Sequence, residues 1–411
     1  MEHMVSARGR RSVCAALAAS STILLLGGAV QAQDSSVANL PSAPAAQTAQ
    51  LEPPIVSPSP APDAPALPQE LPSSVGLSNM RIRGYADVGV GKAPQEKLPE
   101  GGLQKSKASF QIADFHLFVT AKLSDQWSFL SELLITSDFS NEMSAEMDRL
   151  VFQYNPNKHL RVGFGKFNTA IGYYSNEFHR AKFYQTATGR PFMFTDEDNG
   201  GILPVHQVGI TVQGEIPSGV LGLHYIGEIT NGRAFNLNSA EVQNFSDGNN
   251  GKAVNVGLFV RPDAAPALDA GFTVYRDTLE PDGLGKVRET ITAVHAVWMT
   301  PNFELLGEMA ILTHDVEATA VTATSKTLYT QVSKRFGIVR PYARYEYQDV
   351  PAADPVFGVG DVAIAFGIRK AVSGGLHFDI RQFAVVKVQF DHALQHGEWA
   401  NGAHAQLAFA F

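Results

Sequence analysis

From Met80 to the last residue, apolar and polar side chains alternate with a period of two, in segments of roughly ten residues. Ile82, Ala86, Val88 and Val90 share one face of the first segment, while Arg81, Arg83, Tyr85 and Asp87 share the other. Phe115, Leu117, Val119, Ala121 and Leu123 likewise oppose His116, Thr120 and Lys122. The pattern returns with Val254, Val256, Leu258 and Val260 against Asn255 and Arg261, and with Leu376, Phe378 and Ile380 against His377, Asp379 and Arg381. Leu407, Phe409 and Phe411 close the chain in the same way. Successive strand side chains point to opposite faces, so each segment predicts a strand with one apolar side. No apolar run after residue 79 approaches the roughly twenty residues that a spanning helix needs.

The connections sharpen this picture. The pattern gives about sixteen antiparallel strands, an even number, as single-chain membrane barrels have. Short connections fall at Ser124-Asp125, 155–159, 217–219, 262–266, 300–302, Gly337 and 371–375. Longer ones alternate with them at 91–107, 138–146, 168–205, 231–252, 278–286, 313–325, 348–361 and 391–401. Tight turns at one end and long loops at the other predict an all-β transmembrane barrel with both barrel termini in the periplasm. On that layout Trp127, Tyr154, Trp298, Phe336 and Phe411 lie at periplasmic strand ends, and Tyr347 and Phe390 at the outer rim. These positions suit two interfacial aromatic girdles.

The start of the chain reads differently. Arg8, Arg10 and Arg11 precede an uncharged apolar run, and Val30-Gln31-Ala32 offers a small-residue cleavage site, so residues 1–32 read as a signal peptide. Residues 33–78 are rich in Pro, Ala, Ser and Gln and predict a disordered periplasmic linker that cannot bury a core. The barrel domain then spans 79–411. The signal region carries three arginines against Glu2, so its loss takes the formal charge from −8 to −10. That balance is opposite to the basic one expected of a nucleic-acid binder. Cys14, the chain's single cysteine, lies in the signal, which leaves no thiol in the mature chain for a disulfide, metal ligand or nucleophile.

The stretches Phe115-His116-Leu117-Phe118-Val119, Leu123 to Phe129 and Leu160 to Phe167 resemble the phosphate-selective porin O/P-type family of outer-membrane porins. Asn168-Thr169-Ala170-Ile171-Gly172 is similar to the start of that family's loop after the fifth strand, with Ala170 where proline is usual. The terminal Phe411 resembles the signal read by barrel-assembly machinery. The resemblance implies that loop 168–205 folds inward and narrows a water-filled lumen, and that the protein is a homotrimer in the outer membrane of a Gram-negative-type bacterium. Its partners would then be outer-membrane lipid and lipopolysaccharide, together with small hydrophilic or ionic solutes; no cofactor is implied.

Two sets of residues are candidates for function. The constriction-loop set is Arg180, Lys182, Arg190, Asp196, Glu197 and Asp198. The basic lumen set is Arg81, Arg83, Arg335, Arg340, Arg344, Arg369, Arg381 and Lys387, which closure of the barrel gathers on one wall. A basic wall facing an acidic loop would impose a transverse field with a weak anion preference. The same arginines have a structural reading, in which they pair with Asp87, Glu346 and Asp379 to hold the strands. His392 and His396 have ligand-like spacing but lie outside any helical pattern, so no metal site is expected. No Gly-x-Ser-x-Gly or His-Glu-x-x-His motif occurs, and no catalytic residue is expected. Besides a porin, two readings stay open: a barrel anchored to peptidoglycan by its Pro-rich segment, and a lipid or peptide hydrolase.

Overall fold

The structure is a computed structural model that describes residues 79–92, 96–97, 103–104, 108–137, 143–196, 201–233, 245–249, 251–281, 284–357, 367–395 and 397–411. The expected signal peptide, the linker, Glu197, Asp198 and His396 lie outside the described residues.

Sixteen antiparallel strands close into one barrel. They are β1 (Met80–Lys92), β4 (Ser109–Lys122), β5 (Trp127–Ser137), β6 (Met143–Asn157), β7 (Leu160–Asn168), β8 (His206–Ile216), β9 (Leu223–Thr230) and β10 (Ala253–Val260). The second half comprises β11 (Leu268–Leu279), β12 (Val287–Thr300), β13 (Phe303–Val316), β14 (Val321–Lys334), β15 (Val339–Val350), β16 (Gly367–Arg381), β17 (Ala384–Gln395) and β18 (Glu398–Ala410). A two-residue ladder, β2 (Glu96–Lys97) with β3 (Leu103–Gln104), sits in the first long connection. Closure is made by β1, which pairs with β4 on one side and β18 on the other. Phe411 completes the seam, exchanging two backbone hydrogen bonds of 2.9 Å with Gly84. With every edge paired, each strand's backbone groups are satisfied within the wall, as a membrane core requires.

The outward faces are apolar: Val294 and Trp298 on β12, and Leu305, Met309 and Ile311 on β13, are all exposed. Aromatics mark the short-turn end, where Trp127 packs against Phe152 and Tyr154 at 4.8 and 4.6 Å between ring centroids. Trp298, Phe336 and Phe411 are exposed there too.

Three connections differ from the sequence expectation. The 371–375 turn does not exist, because β16 runs through it to Arg381. Gly375 is there for packing: a Cβ on it would strike the Val388 carbonyl and the Tyr342 ring. The loops expected at 313–325 and 391–401 shrink to 317–320 and 396–397. Thr313, Asp315, Thr322 and Thr324 read as loop by polarity, yet pair in register in β13 and β14. The short–long alternation therefore holds for the first half of the barrel and fades in the second.

Gly165 shows what the β6–β7 pairing demands. Its φ is 130°, and a Cβ there would run into the Leu150 carbonyl. Gly165→Ala should cost about 1–3 kcal/mol from backbone strain alone, before the clash is relieved. A lower urea midpoint for barrel unfolding, with an unchanged slope, is the expected result.

Candidate functional site: the loop inside the barrel

The connection from β7 to β8 is long and lies within the barrel, which follows from its contacts. The Ala170 amide donates to Glu228 of β9 at 3.2 Å, and the Thr188 amide donates to Gln389 of β17 at 3.1 Å. In the closed strand order β9 and β17 are eight places apart in a ring of sixteen, so the loop touches opposite walls. Its ends are drawn together by a bond from the Thr169 amide to the Val205 carbonyl, 2.9 Å.

Wall carboxylates take up the loop's free amides. Glu308 of β13 accepts from the amides of Tyr173 and Tyr174 (2.6 and 2.9 Å), which open the one-turn helix α1 (Tyr174–Glu177), and from the Tyr329 hydroxyl (2.6 Å). Gly172 precedes them with φ 74°, where a Cβ would strike Glu308 and Phe194. Glu346 of β15 accepts from the Phe192 amide at 2.5 Å. Glu304 accepts from the Thr186 hydroxyl at 2.9 Å and from Gln331 at 2.7 Å. Such carboxylate bonds satisfy irregular backbone that is cut off from bulk water.

The strongest attachment is apolar. Ile171, Tyr174, Met193, Phe194, Ile202 and Leu203 are buried against inward side chains of β11 to β15, including Tyr275, Ile291, Leu306, Leu312 and Tyr329. Each large side chain buried in this way gains about 1.5–3 kcal/mol. A hydrogen bond gains a net of about 0.5–1.5 kcal/mol, so packing holds the loop and polar contacts set its register. On this side of the barrel the inward face carries apolar side chains between its carboxylates and histidines.

The basic lumen residues divide into three groups. Arg340, Arg344, Arg369 and Lys387 meet the loop. Arg344 donates to the Gly189 carbonyl at 2.7 Å and pairs with Glu346 at 2.9 Å. Lys387 is fully buried and donates to the Lys182 and Ala187 carbonyls, the latter at 3.1 Å. Arg340 lies 3.9 Å from Glu304 and donates to Thr186, while Arg369 stacks 4.4 Å over the Phe192 ring. Arg335 pairs with Asp379, and the exposed Arg381 donates to the Ile380 carbonyl, away from the loop. Arg81 and Arg83 line a cavity of about 310 Å³ with Tyr85, Phe118, Phe178 and Tyr184.

The loop's own charges are arranged differently from a simple acidic face. Asp196 is bracketed by Arg180 and Arg190 of the same loop, each at 2.8 Å. Lys182 instead reaches the wall, pairing with Asp114 at 2.8 Å and Asp87 at 3.4 Å. Burial alone would lower the Lys182 pKa, but those two carboxylates outweigh it and raise it. Burial would likewise raise the Asp196 carboxyl, but the two guanidiniums hold it below the usual range. A carboxyl that ionises more easily when folded adds stability that is complete at neutral pH and lost as pH falls through its depressed value. Protection of the loop amides, measured against their intrinsic exchange rate at each pH, should therefore hold down to about pH 4 and fall only below it. Asp196→Asn should quicken exchange at neutral pH and abolish that acid step.

Several residues here had no sequence signal as site residues. Glu304 and Glu308 stand on the inward face of β13, a placement that the period-two pattern carries but does not single out. Asp148, His179 and His206, which meet at the loop's root, are far apart in the sequence. His392 stacks on Trp399 and bonds to Asn401.

No family model matches the chain, and no curated protein matches it. Solved structures do. OmpF of Salmonella typhi in complex with daunomycin is 13% identical, over 81% of this chain and 97% of that one, with a TM-score of 0.57. An anion-selective porin from Comamonas acidovorans is 12% identical, over 81% and 99%, with a TM-score of 0.57. The outer-membrane channel DcaP of Acinetobacter baumannii is 8% identical, over 81% and 97%, with a TM-score of 0.54. At these identities the likeness is one of fold, and the O/P-type resemblance stays a likeness of sequence. The chain thus shares with these outer-membrane proteins the fold of a closed sixteen-stranded antiparallel β-barrel, here with an apolar outer belt.

Proposed function

We propose that this chain is a porin through which small hydrophilic or ionic solutes diffuse, along a water-filled path narrowed by the 168–205 loop. The observation that carries this reading is the loop's attachment to opposite walls, through Glu228 on β9 and Gln389 on β17. In this reading the apolar packing against β11 to β15 fills that side and the path runs on the other, where Arg81 and Arg83 line a cavity. Neither arginine has an ion pair among the described residues, which supports a weak anion preference. Glu304, Glu308 and Glu346 are taken up in fixing the loop, and we assign no catalytic residue and no cofactor. A homotrimer in lipopolysaccharide-bearing outer membrane, exported by residues 1–32 and trailing a periplasmic linker over 33–78, completes the reading; these features rest on the sequence.

A second reading is favoured by the size of the apolar core inside the barrel. If that packing closes the path entirely, the chain is a membrane anchor for its N-terminal segment. Swelling of proteoliposomes in uncharged sugars of graded size separates the two. A porin gives swelling that falls steeply with solute size, and an anchor gives none.

A further inference from the structure

The geometry points to a transition-metal site of the zinc class, made by Asp148, His179 and His206, that pins the root of the loop to the wall. The three residues come from three elements: β6, the loop and the start of β8. His179 Nε2 lies 2.8 Å from Asp148 Oδ2, His206 Nε2 lies 3.3 Å from Asp148 Oδ1, and the two Nε2 atoms are 3.1 Å apart. All three residues are buried.

Protons alone serve this arrangement poorly. Two neutral imidazoles bring at most two Nε2 hydrogens to three close contacts, so one contact is left with no proton between its atoms. A cation at the centre uses all three lone pairs at once. Zinc bonds of about 2.0–2.2 Å in tetrahedral geometry place ligand atoms roughly 3.3 Å from one another. The observed separations of 2.8 to 3.3 Å are close to that. Two imidazoles and one carboxylate are also an ordinary ligand set for this ion, with a fourth position for water. Arg180 approaches Asp148 at 3.7 Å, but its guanidinium is committed to Asp196 at 2.8 Å, so Asp148 remains available as a ligand. His179 Nδ1 has no protein partner among the described residues, so the neutral imidazole is free to carry its proton there and turn the Nε2 lone pair to a cation.

Bound metal would join the loop to two wall strands at the point where it leaves β7 and returns to β8. The site would act as a clasp, and it is independent of the transport reading. Metal-free purified full-length protein, titrated with Co²⁺ alone, should bind one equivalent with a visible ligand-field spectrum that Zn²⁺ abolishes. His179→Ala changes a loop residue and leaves the wall strands intact. It should weaken Co²⁺ binding at least about 100-fold, beyond the usual loss for an outer-shell partner. Zn²⁺ should slow amide exchange across 169–196 in the wild type and leave this variant unchanged. Asp148→Asn should behave alike, while His295→Ala, elsewhere on the wall, should bind as the wild type does. Absence of saturable Co²⁺ binding by the folded wild type, or equal binding by folded His179→Ala, would overturn the proposal.

Discussion

Glu308→Ala should raise the single-channel conductance several-fold. One carboxylate accepts the Tyr173 and Tyr174 amides and the Tyr329 hydroxyl, each within 2.9 Å. Hydrogen bonds to a charged group are worth about 1.5–3 kcal/mol each, and a donor left buried without a partner costs a similar amount. Losing all three should destabilise the docked α1 turn. The wall itself should be spared, since Glu308 points inward and β13 keeps its ladder with β12 and β14. The variant should fold as a barrel while its loop exchanges faster and its conductance rises. Glu308→Gln keeps the shape and one acceptor, and should fall between the two. Equal conductance in all three proteins would mean that the loop does not limit the path.

The second large effect concerns charge. Replacing Arg81 and Arg83 together by Gln should shift the reversal potential toward cations, more at low salt than at high. Both are exposed and line the cavity, and neither has an ion pair among the described residues. Their field is thus available to passing ions, and salt screens it. Arg340 and Arg344 carry equal charge but are engaged with Glu304, Glu346 and the loop backbone. Replacing those two should change conductance before selectivity, through a loosened loop. A reversal potential that responds to Arg340 and Arg344 but ignores Arg81 and Arg83 would invert this assignment.

Much of the wall was legible because a barrel strand obeys one strong rule. Apolar residues such as Val254 and Val256 face outward at every second position, and most strands show that pattern, although β14 turns Lys326 and Thr330 outward as well. The rule fails where its premise fails. On β12 and β13 the inward Ile291, Leu306 and Leu312 are as apolar as the outward Val294 and Met309, because the loop buries them. Polar character misplaced the loops at 313–325 and 391–401, since strand ends beyond the lipid carry threonine and aspartate without leaving the sheet. Gly374 and Gly375 looked like a turn and lie within β16, where Gly375 leaves room for the Tyr342 ring. The candidate site was half legible. Charged loop residues and wall arginines stand out in a sequence, whereas who pairs with whom does not. Asp196 sits between Arg180 and Arg190 of its own loop, and Lys182 turns to Asp87 and Asp114, which no spacing rule predicts. Asp148, His179 and His206 meet only because β6 and β8 flank β7 in the sheet.

The central claim is that a loop attached to opposite walls sets the width of a conducting path. Planar-bilayer recording of the wild type beside a variant lacking residues 174–204 tests it most directly. The account predicts discrete conducting steps in the wild type and much larger, less selective steps in the deletion variant. Silence in the wild type, or steps of equal size in both proteins, would contradict it.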